Sequence, residues 1–336
     1  MNMIDELRSA VRGEVDDSRV TRETNSRDAS LFRVVPSVTV SPADTTDVES
    51  LVSFVVARKS SDPSLSLTAR SAGTDMSGGP LTESIVVDMT KHFNRPVTVS
   101  GDSVVAEPGV YYRDFEKATL AKGLLLPSYP ASRDLCTVGG MAANNSGGEK
   151  TLAYGKTDRY VRRLNVVLSD GHAYEFKKMS PFELEQKKSS SNFDGEIYRR
   201  MDALLTNNAA VIEAARPRVT KNSSGYALWD IRGADGSFDL TKLFVGSQGT
   251  LGVITEIEFS LIRPNPHSRM LVVFLRDLAP LAEVAERIMR HAPESFESYD
   301  DHTLSVALRV LPQLVRRMKG NAIRLAFQFL PEAWMA

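Results

Sequence analysis

One cysteine, Cys136, stands in 336 residues, so no intramolecular disulfide can form, and the chain fits a reducing compartment. Net charge is close to nil. Forty-one Lys and Arg against 42 Asp and Glu give −1, which offers no electrostatic case for nucleic acid or for an anionic membrane surface. No apolar run approaches the roughly 18 residues that span a bilayer. The run that opens at Met270 to Phe274 is interrupted by Arg276 and Asp277. The first residues, M-N-M-I-D-E-L-R, carry acids where a signal peptide needs an apolar stretch. The expected location is therefore the cytoplasm, with peripheral membrane contact left open. The histidines His92, His172, His267, His291 and His302 are scattered without metal-ligand spacing, so no metal site is expected. Repeats and low-complexity tracts are missing too. What remains is an ordinary globular composition at a length that suits two domains.

Local patterns supply the elements. Ile4, Leu7 and Val11 have helical spacing and predict a short docking helix. V-T-V between Pro36 and Pro42 reads as a strand. Thr46 and Glu49 read as a capping box before the apolar face Val48, Leu51, Val52, Val55 and Val56. Leu65 to Ala69 and Ile85 to Asp88 read as strands. Gly101-Asp102 and Asp170-Gly171 read as hairpin turns between strand pairs. Tyr111 to Lys122 is a predicted helix closed by Gly123. Ser180-Pro181-Phe182-Glu183 combines an N-cap, an N1 proline and a capping glutamate, and residues 181–216 are largely helical. Leu243 to Gly246 reads as a short strand, and Val253 to Leu261 alternates as a longer one. Pro264-Asn265-Pro266 reads as a domain boundary. After it the pattern predicts strands at Met270 to Phe274, Ser295 to Ser298 and Ile323 to Phe329, with helices at Pro280 to Arg290 and Asp301 to Met318.

Three loops of small residues stand out. The first, R-S-A-G-T-D-M-S-G-G from Arg70 to Gly79, follows a predicted strand. It offers consecutive backbone N–H donors and the hydroxyls of Thr74 and Ser77, which is the chemistry a pyrophosphate needs. Neither G-x-G-x-x-G nor a P-loop lysine is present, and alone the loop reads equally well as a tight turn. The second is T-V-G-G-M-A-A-N-N-S-G-G, from Thr137 to Gly148. The third is G-S-Q-G-T-L-G, from Gly246 to Gly252. Three such loops, each beside a predicted strand, would converge on one extended ligand with a diphosphate and a flat ring.

In order and spacing these loops resemble the FAD-binding domain of the vanillyl-alcohol oxidase superfamily, the PCMH type. V-V-P-S-V-T-V-S-P-A-D-T-T-D-V, P-S-Y-P-A-S-R-D-L-C before the second loop, Y-G-K-T-D-R-Y-V after it and V-G-S-Q-G-T-L-G-V-I-T-E complete the match over about residues 31–264. The group most similar is that of the FAD-linked 2-hydroxy-acid dehydrogenases, with the glycolate oxidase subunit and D-lactate dehydrogenase. The resemblance implies an α+β chain. It would hold an N-terminal helical segment (1–30), a PCMH-type FAD-binding domain of two α/β subdomains (31–264) and an incomplete α+β cap (267–336).

It also implies roles. Ala72, Gly73, Thr74, Asp75, Met76, Ser77 and Gly78 would cradle the diphosphate. Pro130, Ser132, Thr137, Gly139, Gly140, Asn144, Ser146 and Gly147 would line the flavin and its phosphates. Gly249, Gly252 and Ile254 would lie on the pyrimidine side. Some relatives attach the flavin to a histidine in the first loop. Asp75 stands in that stretch here, so non-covalent FAD is expected. Gln248 replaces an acid common in the third loop. The His-rich metal motif of many cap domains has no counterpart, and no residue is assigned as catalytic base. Tyr226 and Trp229 are read as packing against the flavin domain, and Cys136 as buried packing without a base partner.

The implied reaction is hydride transfer from the α-carbon of a D-lactate-, glycolate- or D-2-hydroxyglutarate-type substrate to flavin N5. Electrons would then pass to a cytochrome, a quinone or a partner protein. The alternatives are a non-catalytic FAD-binding module that needs a separate or missing cap, and a reductase of the UDP-N-acetylmuramate type.

Overall fold

The computed structural model describes residues 3–219, 221–222 and 224–317. Contacts group them into two compact units, one ending at Ser295 and the other beginning at Phe296.

The first unit opens with α1 (Met3–Ala10), β1 (Glu14–Asp16) and α2 (Arg19–Thr24). It continues with β2 (Val38–Ser41), α3 (Thr45–Arg58), β3 (Leu67–Arg70) and β4 (Ile85–Asp88). The strands form a sheet in the order β1-β2-β4-β3, in which only β1 runs antiparallel to its neighbour. Parallel strands are covered on both faces, so they read as apolar runs. Val38, Val40, Ile85, Val86 and Val87 are accordingly buried. From α3, Val48, Leu51, Val52 and Phe54 enter the same core, where they meet Leu7 and Val11. The expected docking helix is therefore α1, seated on Leu7.

The helix cap differs from the expected one. Asp44 caps α3, its carboxylate accepting from the amides of Thr46 and Asp47. Glu49 reaches away to the amide of Ala173. A short carboxylate one residue before the helix reaches the free amides more directly than a threonine already inside it.

The second sheet takes β5 (Thr98–Ser100), β6 (Ser103–Ala106), β7 (Val161–Val167), β8 (Ala173–Lys177) and β9 (Val253–Ser260), in the antiparallel order β5-β6-β9-β7-β8. The strand latest in the chain thus closes the middle of the sheet. On β9, Val253, Thr255, Ile257 and Phe259 are buried and the residues between them are half-buried, as the alternation predicts. On the half-buried face Arg163 of β7 pairs with Glu256 at 2.7 Å and Glu258 at 3.2 Å. Around this sheet lie α4 (Tyr112–Leu120), α5 (Val138–Ala143), α6 (Thr151–Tyr154), α7 (Pro181–Ser189), α8 (Phe193–Asn207), α9 (Ala209–Ala215) and α10 (Thr241–Phe244). Aromatic rings knit the core: Phe176 lies 4.5 Å from Phe244 and 6.2 Å from Tyr198, centroid to centroid. The capping box of Ser180 and Glu183 is present as read.

Three expected strands differ. Leu243 and Phe244 of the expected strand Leu243 to Gly246 belong to α10, and Val245 and Gly246 follow it as a turn. Asp239 accepts from both the amide and the hydroxyl of Thr241 and so starts a helical turn that overrides a four-residue apolar run. Met270 to Phe274 and Ser295 to Ser298 join no sheet among the described residues. The apolar side chains of Met270 to Phe274 stay exposed, because a strand forms only where a neighbour takes up its backbone groups. The expected helices after Pro266 are α11 (Leu281–Met289) and α12 (Asp301–Arg317). The strand expected at Ile323 to Phe329 lies outside the described residues.

Candidate functional site

The first loop leaves the C-terminal end of β3, the second wraps α5, and the third enters β9. Backbone bonds clamp the last two together: the amide of Gly246 donates to the carbonyl of Ala142 at 3.0 Å, and that of Gln248 to Ala143 at 2.8 Å. The second loop is held in turn by Thr137, whose hydroxyl caps α5 at the amide of Gly140. It is held again by Thr157, whose amide donates to Ser146. Gly139 passes so close to Pro108 that a Cβ would stand 2.6 Å from the Pro108 carbonyl oxygen. Gly249 needs glycine for another reason. Its φ is +77°, and a Cβ there would meet nothing.

Together the loops wall one cavity of about 1430 Å³. That exceeds the roughly 300–1,000 Å³ of ordinary small-molecule pockets and suits an extended dinucleotide. Ala72, Gly73, Thr74, Asp75, Met76 and Ser77 line it, as do Pro130, Ser132, Thr137, Gly139, Gly140, Asn144, Ser146 and Gly147. Gly249, Gly252 and Ile254 complete the set. Gly78 is the exception. It turns with φ +86° against the ring of Phe32, and Gly79 takes its place in the wall.

The fit to a diphosphate can be tested on the first loop itself. Among the described residues, nothing in the protein accepts from the consecutive amides of Ala72 to Gly78. Such a run of open donors is the kind of group that an anion site uses. Asp75 shapes it: its Oδ2 accepts from the hydroxyl of Ser77 and the amide of Gly79, both at 2.8 Å. The residues present therefore fit FAD.

Several wall residues were not among the expected site residues: Arg27, Asp28 and Lys242, and also Arg70 and Lys156, which lie within the quoted motifs without an expected role. Lys156 is buried, and burial pushes its ammonium below the usual lysine range. Its Nζ donates to the carbonyl of Asn222 at 2.5 Å. Trp229, read as packing, stands in the wall of the cavity, and the hydroxyl of its neighbour Tyr226 lies 2.7 Å from that of Thr250 in the third loop. These loop aromatics were legible in kind but not in place. Cys136 also faces the cavity, with its thiol pushed up to about 11 by burial. No group of His, Cys, Asp and Glu able to hold a metal occurs among the described residues.

Comparison with known proteins agrees with this geometry. Residues 36–177 match the family model described as FAD binding domain. D-2-hydroxyglutarate dehydrogenase of Pseudomonas putida is 28% identical over 304 residues, covering 90% of this chain and 30% of the relative. Glycolate oxidase subunit GlcD of Bacillus subtilis is 27% identical over 297 residues, covering 87% of this chain and 51% of the relative. The chain thus spans about half or less of the length of these curated relatives. Among solved structures, an alkyldihydroxyacetonephosphate synthase superposes with a TM-score of 0.53 at 18% identity, over 77% of this chain and 40% of that one. That likeness concerns the fold. The chain is an α+β protein whose residues 36–177 match an FAD binding domain, and FAD is its cofactor.

Proposed function

We infer that this chain is the cofactor-holding part of an FAD-dependent oxidoreductase acting on a 2-hydroxy acid of the D-2-hydroxyglutarate, D-lactate or glycolate type. The observation that carries the reading is a row of open amides in the first loop beside two clamped loops, all walling one cavity of about 1430 Å³. The relatives' names supply the substrate class.

The flavin, when bound, supplies a two-electron acceptor for the hydride of the substrate α-carbon. The chain's own residues position it. Amides of Ala72 to Ser77 donate to the diphosphate. The second loop, from Thr137 to Gly147, and the third, from Gly249 to Ile254, hold the ring between rigid backbone walls. Trp229 excludes water along one side. Asp75 stays within the first loop, so FAD is held without a covalent bond. Residues 31–264 act as the cofactor domain and those from 267 on as the opening of a substrate domain. The reading is completed by a cytoplasmic location, with contact at a membrane periphery allowed, and by electron transfer to a cytochrome, quinone or partner protein.

Anaerobic mixing of the flavin-loaded protein with D-2-hydroxyglutarate, D-lactate and glycolate tests it. Bleaching of the flavin absorbance by one of them is expected. Bleaching by NADPH and by none of the three acids would replace this reading with the reductase.

A further inference from the structure

Arg70 is the last residue of β3 and lies where that strand opens into the first loop. Its side chain is buried, with 9% exposure, yet it reaches the cavity wall. A guanidinium has five N–H donors. Two are used, by the carbonyl of Arg27 at 2.6 Å and that of Asn25 at 3.4 Å. Among the described residues no carboxylate forms an ion pair with it. Burial lowers its pKa from the usual range, while Asp28 and Asp88 oppose that shift only through space. The group also lies directly under the loop, since a Cβ on Gly73 would stand 2.9 Å from its central carbon.

A buried cation held by neutral carbonyls, with donors to spare, is costly unless an anion completes it. The open amides of Ala72 to Ser77 follow Arg70 closely in the chain and line the same cavity. We propose that Arg70 is the counter-charge of the cofactor diphosphate, delivered from beneath the first loop. Its two carbonyl bonds add a consequence. They tie the segment Asn25 to Arg27 to the same guanidinium. The amide of Ala29 in turn donates to Asp75 at 3.0 Å. Diphosphate binding therefore tightens the N-terminal segment against the loop. The proposal rests on the first loop being the diphosphate cradle.

The test uses the full chain stripped of flavin and titrated with FAD, ADP and riboflavin, for the wild type, Arg70→Met and Arg70→Lys. Loss of a charge-assisted contact should weaken FAD and ADP by at least roughly tenfold in Arg70→Met. Riboflavin should change less than about twofold, because it carries no phosphate. Arg70→Lys should recover part of the loss, because it keeps the charge without the fork. In the wild type, ADP should also slow hydrogen exchange at the Ala29 amide, whereas riboflavin should not; this readout stands even if Arg70→Met fails to fold. Equal weakening of all three ligands would assign Arg70 a purely structural part and overturn the proposal. So would unchanged ADP affinity in Arg70→Met. A wild-type chain that binds FAD but not ADP would instead remove the diphosphate cradle from the first loop.

Discussion

The amide of Gln248 donates to the carbonyl of Ala143 at 2.8 Å, so the third loop hangs on the end of α5 in the second. Gln248 accepts a left-handed backbone, with φ of 52°, to make that bond. Two loops separated by about a hundred residues thereby share one wall of the cavity.

Gly139 is a tight point of that wall, with backbone against it. In Gly139→Val the new side chain would press on the Pro108 backbone. Overpacking at such a site costs typically about 1–3 kcal/mol. The expected outcome is a lower Tm and loss of FAD affinity together, read by thermal unfolding and by flavin titration. Gly101→Ala, at a hairpin turn with open space around it, should leave FAD affinity unchanged.

Asp75 is expected to matter through backbone shape. Asp75→Ala removes the acceptor for Ser77 and Gly79 and loosens the donor row. FAD affinity should fall by roughly tenfold, the scale of one charged hydrogen bond. Asp75→Asn should keep most of it. Equilibrium titration of the stripped protein measures both.

Asp47 gives an acid-dependent prediction. Burial pushes its carboxyl up, but the amides of Arg12, Gly13 and Ala43 outweigh that and hold it below the ordinary value of 3.8. A depressed folded-state pKa stabilises the protein above the unfolded value, and the contribution is lost as pH falls through the folded one. Asp47→Asn should therefore cost about 1–2 kcal/mol at neutral pH. The gap between variant and wild type should close as the pH drops below about 3.8. Urea unfolding across that range checks it.

Cys136 should be chemically quiet. With its thiol pushed up to about 11 by burial, it holds little thiolate near neutrality. Maleimide at pH 7 should leave the native chain unmodified over hours and label it once in urea, as mass spectrometry would show.

Much of this architecture is written in local signals. The alternation of Val253 to Ser260, the Ser180 box and the two glycine hairpins each depend on neighbours in sequence, and each formed as read. The three loops were legible because glycine, serine and asparagine cluster only where backbone must come close. What stayed hidden depends on distant partners. Arg70 is an ordinary strand-end residue until Asn25 and Arg27 fold back upon it. Trp229 enters the cavity wall through a loop whose path no periodicity records. Leu243 to Gly246 looked like a strand because apolar residues are ambiguous over so few positions, and a side-chain turn at Asp239 decided otherwise.

The central claim is that the cleft holds FAD without a covalent bond. Purified chain should be yellow. Heat or acid should release the flavin wholly into the supernatant, where its chromatographic mobility matches FAD. Adding FAD to the stripped protein should restore the bound spectrum at one flavin per chain. Colourless protein that takes up no FAD, or flavin that stays with the precipitate, would contradict the account.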